Sequence, residues 1–329
     1  MTVPLSLLDL ALIGPGETAA ASFAASVTLA QRAERLGFRR VWYAEHHNMA
    51  GIASSATSVL IAHVAAHTER IRLGAGGVML PNHAPLVIAE QFGTLESLHP
   101  GRIDLGLGRA PGSDQKTMRA LRRDARSAER FPDDVRELQG YLGGDSLIPG
   151  IEAIPGKGTE VPLYILGSSL FGAQLAAAFG LPYAFASHFA PAALEQAVAV
   201  YRRDFRPSAQ LEAPYVIAAV NVITAETSGE AQARFYEAKR RRVQLLFSGG
   251  RDLSEDEVDL LLDSPAGTQV EQMMRYSAIG THDEVHDELR RFTDHARADE
   301  LIIALADTDR RLGLRSLELL AGAEAVLPG

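Results

Sequence analysis

Residues 71–112, IRLGAGGVMLPNHAPLVIAEQFGTLESLHPGRIDLGLGRAPG, constrain the fold more than any other part of the chain. Residues 71–73 form a short apolar run of the kind buried in a parallel sheet. Gly74, Gly76 and Gly77 follow where that strand is expected to end, so the backbone there can bend sharply or approach a ligand closely. Pro85 suits the first turn of a helix, and Ile88, Phe92 and Leu95 recur at helical spacing. Pro100-Gly101 stops that helix. Residues 102–107 read as a second strand, leaving through Gly108, Arg109, Ala110, Pro111 and Gly112. Two consecutive strands with glycine-rich exits, the second carrying an arginine, point to a ligand at the carboxyl ends of a parallel sheet.

The same alternation runs through the chain. Residues 5–13 read as a first buried strand with Gly14-Pro15-Gly16 as its turn, and residues 18–36 as a helix for which Gly37 suits the C-terminal cap. Residues 40–44 are a second strand, ending at Glu45-His46-His47-Asn48. Ser54 or Ser55 is the expected N-cap of a helix running to about Thr68. Residues 114–142 read as one arginine-rich, solvated helix. Residues 143–162 are too long and too rich in Gly and Pro for an ordinary connection. Strands follow at 163–166, 183–186, 215–223 and 300–305. Helices are expected to Phe179, over 191–205, over 229–247, over 281–295 and over 309–321. Acidic residues 248–277 read as a second insertion. Eight strand–helix units favour a closed (β/α)₈ TIM barrel, one domain over residues 1–329, with insertions after strands four and seven.

Composition narrows the function. The 329 residues, 47% of them hydrophobic, are ample for one large barrel core. There is no cysteine, which excludes disulfides, thiolate metal sites and a cysteine nucleophile. A net charge of -9 argues against a nucleic-acid footprint. The apolar start lacks a basic flank and a cleavage site, and no apolar run is long enough to cross a membrane. A soluble cytoplasmic protein is the expectation.

The active site of a (β/α)₈ barrel lies at the carboxyl ends of its strands. That rule selects Asp9, Leu10 and Ala11, residues 45–48, Gly76 and Gly77, Arg109, Gly167-Ser168-Ser169, and His188. Adjacent on an extended backbone, His46 and His47 point opposite ways, so at most one faces the barrel centre. A metal site would need His46 or His47 with Asp9 and His188. The dense ligand spacing of many metal-dependent barrels is missing, so no metal is expected. His63 and His67 have ligand spacing on a helix, but Val64 stands where a zinc protease carries its glutamate. Gly167-Ser168-Ser169 opens a helix whose free N–H groups and dipole attract an anion, and Arg109 can offer a bidentate guanidinium to the same group. Simple N-capping is the plainer reading of the two serines.

Taken together, Val41-Trp42-Tyr43-Ala44-Glu45-His46-His47, the 71–112 stretch and residues 167–182 resemble the luciferase-like flavin-dependent monooxygenase superfamily, the family of bacterial luciferase and the alkanesulfonate monooxygenases. The resemblance covers nearly the whole chain. It implies a (β/α)₈ barrel that binds reduced FMN or, in some relatives, the deazaflavin F420. It assigns His46 a catalytic role and Gly76–Gly77 a non-proline cis peptide. Arg109 matches a phosphate-contacting arginine, and Ser169 and Gly172 match the phosphate loop and helix start. Gly172 stands where luciferase carries a hydroxyl residue, so only its backbone N–H is available. His46 is expected to titrate near neutrality and exchange protons. Leu10, His47 and His188 are the expected substrate pocket. The resulting expectation is a monooxygenase using reduced FMN and O₂ on a small organic substrate. A separate flavin reductase would supply it, because no second dinucleotide fingerprint is present. A homodimer is implied by the same resemblance, with the helix over 54–68 as a candidate interface. The alternatives are an F420-dependent oxidoreductase and a non-catalytic flavin-binding protein.

Overall fold

The structure, a computed structural model, describes residues 3–14, 16–110, 114–249, 251 and 253–322. Pro15, Pro111 and Gly112, assigned above to turns, lie outside the described residues. Among the described residues nine parallel strands form, β1 Leu5–Asp9, β2 Arg40–Tyr43, β3 Arg72–Met79, β4 Ile103–Gly108, β5 Leu163–Gly167, β6 Tyr183–Phe185, β7 Val216–Thr224, β8 Ser277–Gly280 and β9 Glu300–Leu305. Between them lie α1 Ala19–Arg35, α2 Thr57–Ala65, α3 Pro85–Leu98, α4 Gln115–Ala120, α5 Phe131–Gly143, α6 Leu170–Phe179, α7 Leu194–Asp204, α8 Ser228–Phe247, α9 Glu255–Leu262, α10 Pro265–Met273 and α11 His282–Ala296, and α12 Arg310–Leu320 follows β9. Strands β1 to β7 pair in order, and β9 closes the ring by pairing with both β7 and β1. The result is the expected eight-stranded barrel.

Strand β8 was not foreseen. It pairs with residues 221–224 of β7, while β9 holds residues 217–222 on the other edge and the short β6 reaches only 216–218. It therefore extends the edge that β6 leaves unpaired. With four residues inside a polar stretch, its local signal is weak. The acidic insertion before it folds as α9 and α10 beside α8. Residues 114–142 are not one helix. They form α4, a 3₁₀ turn over Ala125–Arg130, and α5. Arg122 takes a left-handed φ of 57°, and the Asp124 carboxylate accepts the N–H groups of Arg126 and Ser127, starting a new turn.

Two layers of core follow from strand alternation. Val41, Tyr43, Leu73, Ala75, Ile103 and Leu105 face outward and pack under the helices. Trp42, Tyr164, Ala184, Ile217, Ala219 and Ile302 face inward. Gly74 and Gly76 lie inside β3 and not in a turn, which corrects the sequence reading. A Cβ on Gly74 would come 2.9 Å from Trp42 Nε1, and one on Gly76 would come 2.8 Å from Trp42 Cβ. These glycines make room for the indole. The Gly76–Gly77 peptide is cis, as the resemblance implied, and the β3–β4 register shifts at that point.

At the amino ends of the strands the barrel floor is charged. Arg40 donates to Asp104 Oδ2 at 2.7 Å and to the Tyr164 hydroxyl at 2.7 Å. Its Nε lies 2.9 Å from Glu300 Oε1, and its Nη2 donates to Glu300 Oε2 at 3.1 Å. Asp104 also accepts from Trp42 Nε1 and from Arg72. Burial opposes the charge on Arg40, but Asp104 and Glu300 outweigh it and raise its pKa. Removing one member strands the others in a dry interior. Asp104→Ala is therefore expected to lower the unfolding free energy by about 3–5 kcal/mol. Arg290→Ala, which breaks an exposed pair with Asp287, should cost less than about 1 kcal/mol. Equal urea-unfolding losses for the two variants would refute the floor's role.

Candidate active site

At the opposite, carboxyl end of the barrel, Glu45 follows β2 with its side chain buried. Its carboxylate accepts from His47 Nε2 at 2.7 Å, from His83 Nε2 at 2.9 and 3.0 Å, and from the Met79 N–H at 3.0 Å. Its own N–H donates to Gly77 O at 3.2 Å. Burial favours the neutral acid, but the bonds from His83, His47 and Met79 outweigh it and hold the carboxyl below its usual range. Glu45 thus ties the end of β2 to the cis-glycine end of β3. His47, expected in the substrate pocket, is hydrogen-bonded to this carboxylate. His83 was missed, although the PNHAP run displays it; no spacing rule ties it to Glu45, 38 positions away.

Ligand atoms of Glu45, His47 and His83 lie within 4.8 Å of one another, the one such group of three among the described residues. This set differs from the one weighed on sequence. Asp9 is engaged elsewhere, accepting from the Ala11 N–H at 2.7 Å and Ser26 Oγ at 2.5 Å. Each histidine already bonds the Glu45 carboxylate, so the arrangement is satisfied as a hydrogen-bonded clamp. The rings of His63 in α2 and His67 just beyond it lie 4.7 Å apart, tilted to each other, and both residues are exposed. Ser54, an expected cap, instead donates to Ala44 O at 2.5 Å and fixes the chain just before Glu45; Ala56 occupies the N-cap of α2 without a side-chain bond.

His46 turns away from the clamp, with Nδ1 3.4 Å from Ala44 O. Burial lowers its pKa, with His47 adding to the effect. The expectation of titration near neutrality is therefore shifted, and the ring is neutral and able to accept a proton. His188 follows β6 on the far side of the ring. Asn221 Nδ2 donates to its carbonyl at 2.8 Å, and Phe189 packs edge-on at 4.9 Å. Its Nδ1 is inaccessible and has no partner. Burial first, then the charges of Arg242 and His46, push His188 down to about 3. Leu10, half-buried, follows β1 at the same carboxyl end.

Arg109 and the start of α6 come together as expected. The guanidinium lies 4.1 Å from the centroid of the Phe171 ring. Ser169 is the N-cap residue, yet its side chain makes no capping bond, so the plain capping reading fails for it. Ser168 and Ser169 offer free hydroxyls beside the unpaired N–H groups of the first helical turn. Gly172 is buried, and a Cβ there would come 3.3 Å from Tyr183 Cε2. The Tyr183 ring leaves little room for the hydroxyl residue found in luciferase. A shallow hollow of about 750 Å³ at Asp263, Ser264, Pro265, Thr268, Gln269 and Gln272 shares no residue with this mouth.

The His188 shift carries a pH signature. The unfolded chain binds the His188 proton near 6.5 and the folded chain only near about 3. Between those values the unfolded state holds more protons, so stability falls as pH is lowered. Other buried histidines titrate the same way, and a variant isolates the effect. His188→Gln should lose less melting temperature than the parent between pH 7 and about pH 4. Parallel melting curves would show that His188 is not buried as a neutral ring.

Comparison with known proteins agrees with this arrangement. The sequence model of the luciferase-like monooxygenase family matches residues 3–298. A luciferase-like monooxygenase of Escherichia coli (strain K12) is 46% identical over 331 residues, covering all of this chain and 99% of the relative. The N-acetyl-S-alkylcysteine monooxygenase of Bacillus subtilis (strain 168) is 33% identical over 315 residues, covering 92% of each chain. The crystal structure of apo-MsnO8 superposes with a TM-score of 0.88 at 36% identity, covering 97% of this chain and 98% of that one. Barrel, glycine-rich third strand and EHH strand end together with these matches lead to one conclusion: the chain belongs to the luciferase-like monooxygenase family.

Proposed function

We propose that this oxidoreductase is a monooxygenase that uses reduced FMN and O₂ on a small organic substrate, with the flavin reduced by a separate reductase. The observation that carries the reading is the anion cradle at the ends of β4 and β5. There Arg109 has no carboxylate partner among the described residues, and Ser168, Ser169 and the first turn of α6 present free donors. This donor set suits a phosphate monoester. Gly76 and Gly77 contribute backbone without side chains on the adjacent strand end, which suits a flat ring held close to the chain. Bound reduced flavin would supply the oxygen chemistry.

The remaining tasks fall to the protein. Glu45, clamped by His47 and His83, fixes the strand end that presents His46. His46, neutral at pH 7, is placed to accept a proton at the reacting centre. The inward apolar residues Leu8, Leu166 and Ile217 exclude water below it. The Bacillus subtilis relative, an N-acetyl-S-alkylcysteine monooxygenase, supports a small organic substrate. We also infer a homodimer through α2 and α3, where Val59, Val87 and Leu98 are exposed.

Arg109→Ala should weaken FMN binding by at least tenfold, in line with about 1.5–3 kcal/mol for charge-assisted bonds, and leave riboflavin nearly unchanged. Equal losses would remove the phosphate role. In the same titration, binding of F420 without FMN would replace the flavin by a deazaflavin. His46→Ala should lower turnover with reduced FMN and O₂ by about 10²–10⁴ while flavin affinity changes little. Chelators should leave the parent protein unaffected; a tightly bound metal lost together with activity would overturn the flavin reading. Light scattering at micromolar concentration should give twice the chain mass, and a monomer mass would end the dimer proposal.

A further inference from the structure

The exposed end of α2 carries donor atoms that the mouth does not use. His63 lies in the last turn of α2 and His67 just beyond it, at i,i+4 spacing, and both are exposed. Their ring centroids are 4.7 Å apart and the rings are tilted by 59°. His67 Nδ1 lies 2.7 Å from His63 O. A carbonyl only accepts, so Nδ1 carries the hydrogen and Nε2 of the neutral ring keeps its lone pair. Among the described residues no group hydrogen-bonds the His63 ring, whose neighbour is the His67 ring.

The backbone under His67 is firmly held. Gln31 Nε2 of α1 donates to His67 O at 2.9 Å, the His67 N–H reaches Val64 O at 3.0 Å, and Arg102 donates to Thr68 O at 3.0 Å. An imidazole that binds a metal ordinarily donates its second ring N–H to a carbonyl or carboxylate, which fixes its tautomer and orientation. His67 has that arrangement through His63 O. Val64, between the two, is buried and stands where a zinc protease carries its glutamate. The pair can therefore hold an ion but has no base beside it to activate water. Among the described residues no His, Cys, Asp or Glu forms a group of three with them, so water would fill the other coordination positions. Strand β3 starts at Arg72, which puts the pair toward the amino ends of the strands, away from the mouth.

We propose that His63 and His67 form a surface site for a divalent cation of the zinc, nickel and copper class, chelated within one chain. Neutral imidazole suits these ions, whereas Mg²⁺ and Ca²⁺ take oxygen ligands. Zinc–nitrogen bonds of about 2.0–2.1 Å place two ligand nitrogens on a tetrahedral ion roughly 3.4 Å apart. Two exposed rings with centroids 4.7 Å apart reach that separation by side-chain rotation alone. The ion would tie the last turn of α2 to the turn that leads into β3. It would take no part in the reaction, and a chain stripped by a chelator stays folded and active. The site is built from one chain and does not rest on the dimer inferred above.

The test titrates Zn²⁺ calorimetrically into chelator-treated full-length protein, for the parent, His63→Gln, His67→Gln and His286→Gln. The parent should take up one Zn²⁺ per chain in a saturable transition, and Mg²⁺ should give none. His63→Gln and His67→Gln should each weaken that binding by about tenfold or more. His286→Gln, which alters the other histidine pair at helical spacing, should leave it unchanged. Without zinc the His63 and His67 variants should melt like the parent, because both side chains are exposed. Saturating zinc should raise the melting temperature of the parent by a few degrees and leave that of His63→Gln in place. No saturable uptake by the parent would overturn the proposal. Uptake that survives both single substitutions would place the ion elsewhere, the Glu45 clamp included, and would overturn it as well. Half an ion per chain would place the ion between two copies and overturn chelation within one chain.

Discussion

A full positive charge inside the barrel floor sets the terms for the rest of the structure. Arg40 is held by Asp104, Glu300 and Tyr164 from three other strands. Asp104 in turn holds Arg72 and the indole of Trp42. Such a network is not evidence of unusual stability, because desolvation offsets much of the attraction. Its consequence is geometric. Each strand that contributes a partner has one register in which its charge is met, and any slip leaves an ion unpaired in a dry core. Fixing β2, β4, β5 and β9 at their amino ends also fixes the heights at which their carboxyl ends emerge.

The mouth inherits that precision. Gly74 and Gly76 accommodate Trp42, whose ring the floor has oriented. One step further along β3, the cis Gly76–Gly77 peptide meets the Glu45 N–H. Glu45, His47 and His83 then form a hydrogen-bonded clamp, and His46 stands outside it. Around it the electrostatics are divided. On one side lie the Arg109 guanidinium and the first turn of α6, and elsewhere at the mouth are the imidazoles of His46 and His188, whose pKa values burial lowers.

Legibility followed from how local each signal was. Strand–glycine–helix alternation is local, and it was enough for the eight-unit barrel and for both insertions. Arg109, Ser169 and His46 stand at strand ends, where the barrel rule alone brings them to the mouth. The glycines of β3 were misread because glycine is ordinarily a turn signal, and the bulky partner that requires them, Trp42, sits on the neighbouring strand. The break at Asp124 depended on a carboxylate choosing its own backbone over a helix, a competition that composition does not display.

By itself, then, the sequence determined the architecture and the end of the barrel where chemistry resides, because hydrophobic period and turn residues act within a few positions of themselves. Only the tertiary structure decided how the charged and histidine side chains are partnered. His47 went to Glu45 and His83 joined them, Asp9 was drawn to Ser26, and β8 took the free edge of β7. Among the described residues, Arg242 emerged as a half-buried cation without a hydrogen bond, ion pair or ring contact. Partnering depends on distances across the barrel between residues far apart in the chain, and no pattern along the chain encodes those distances.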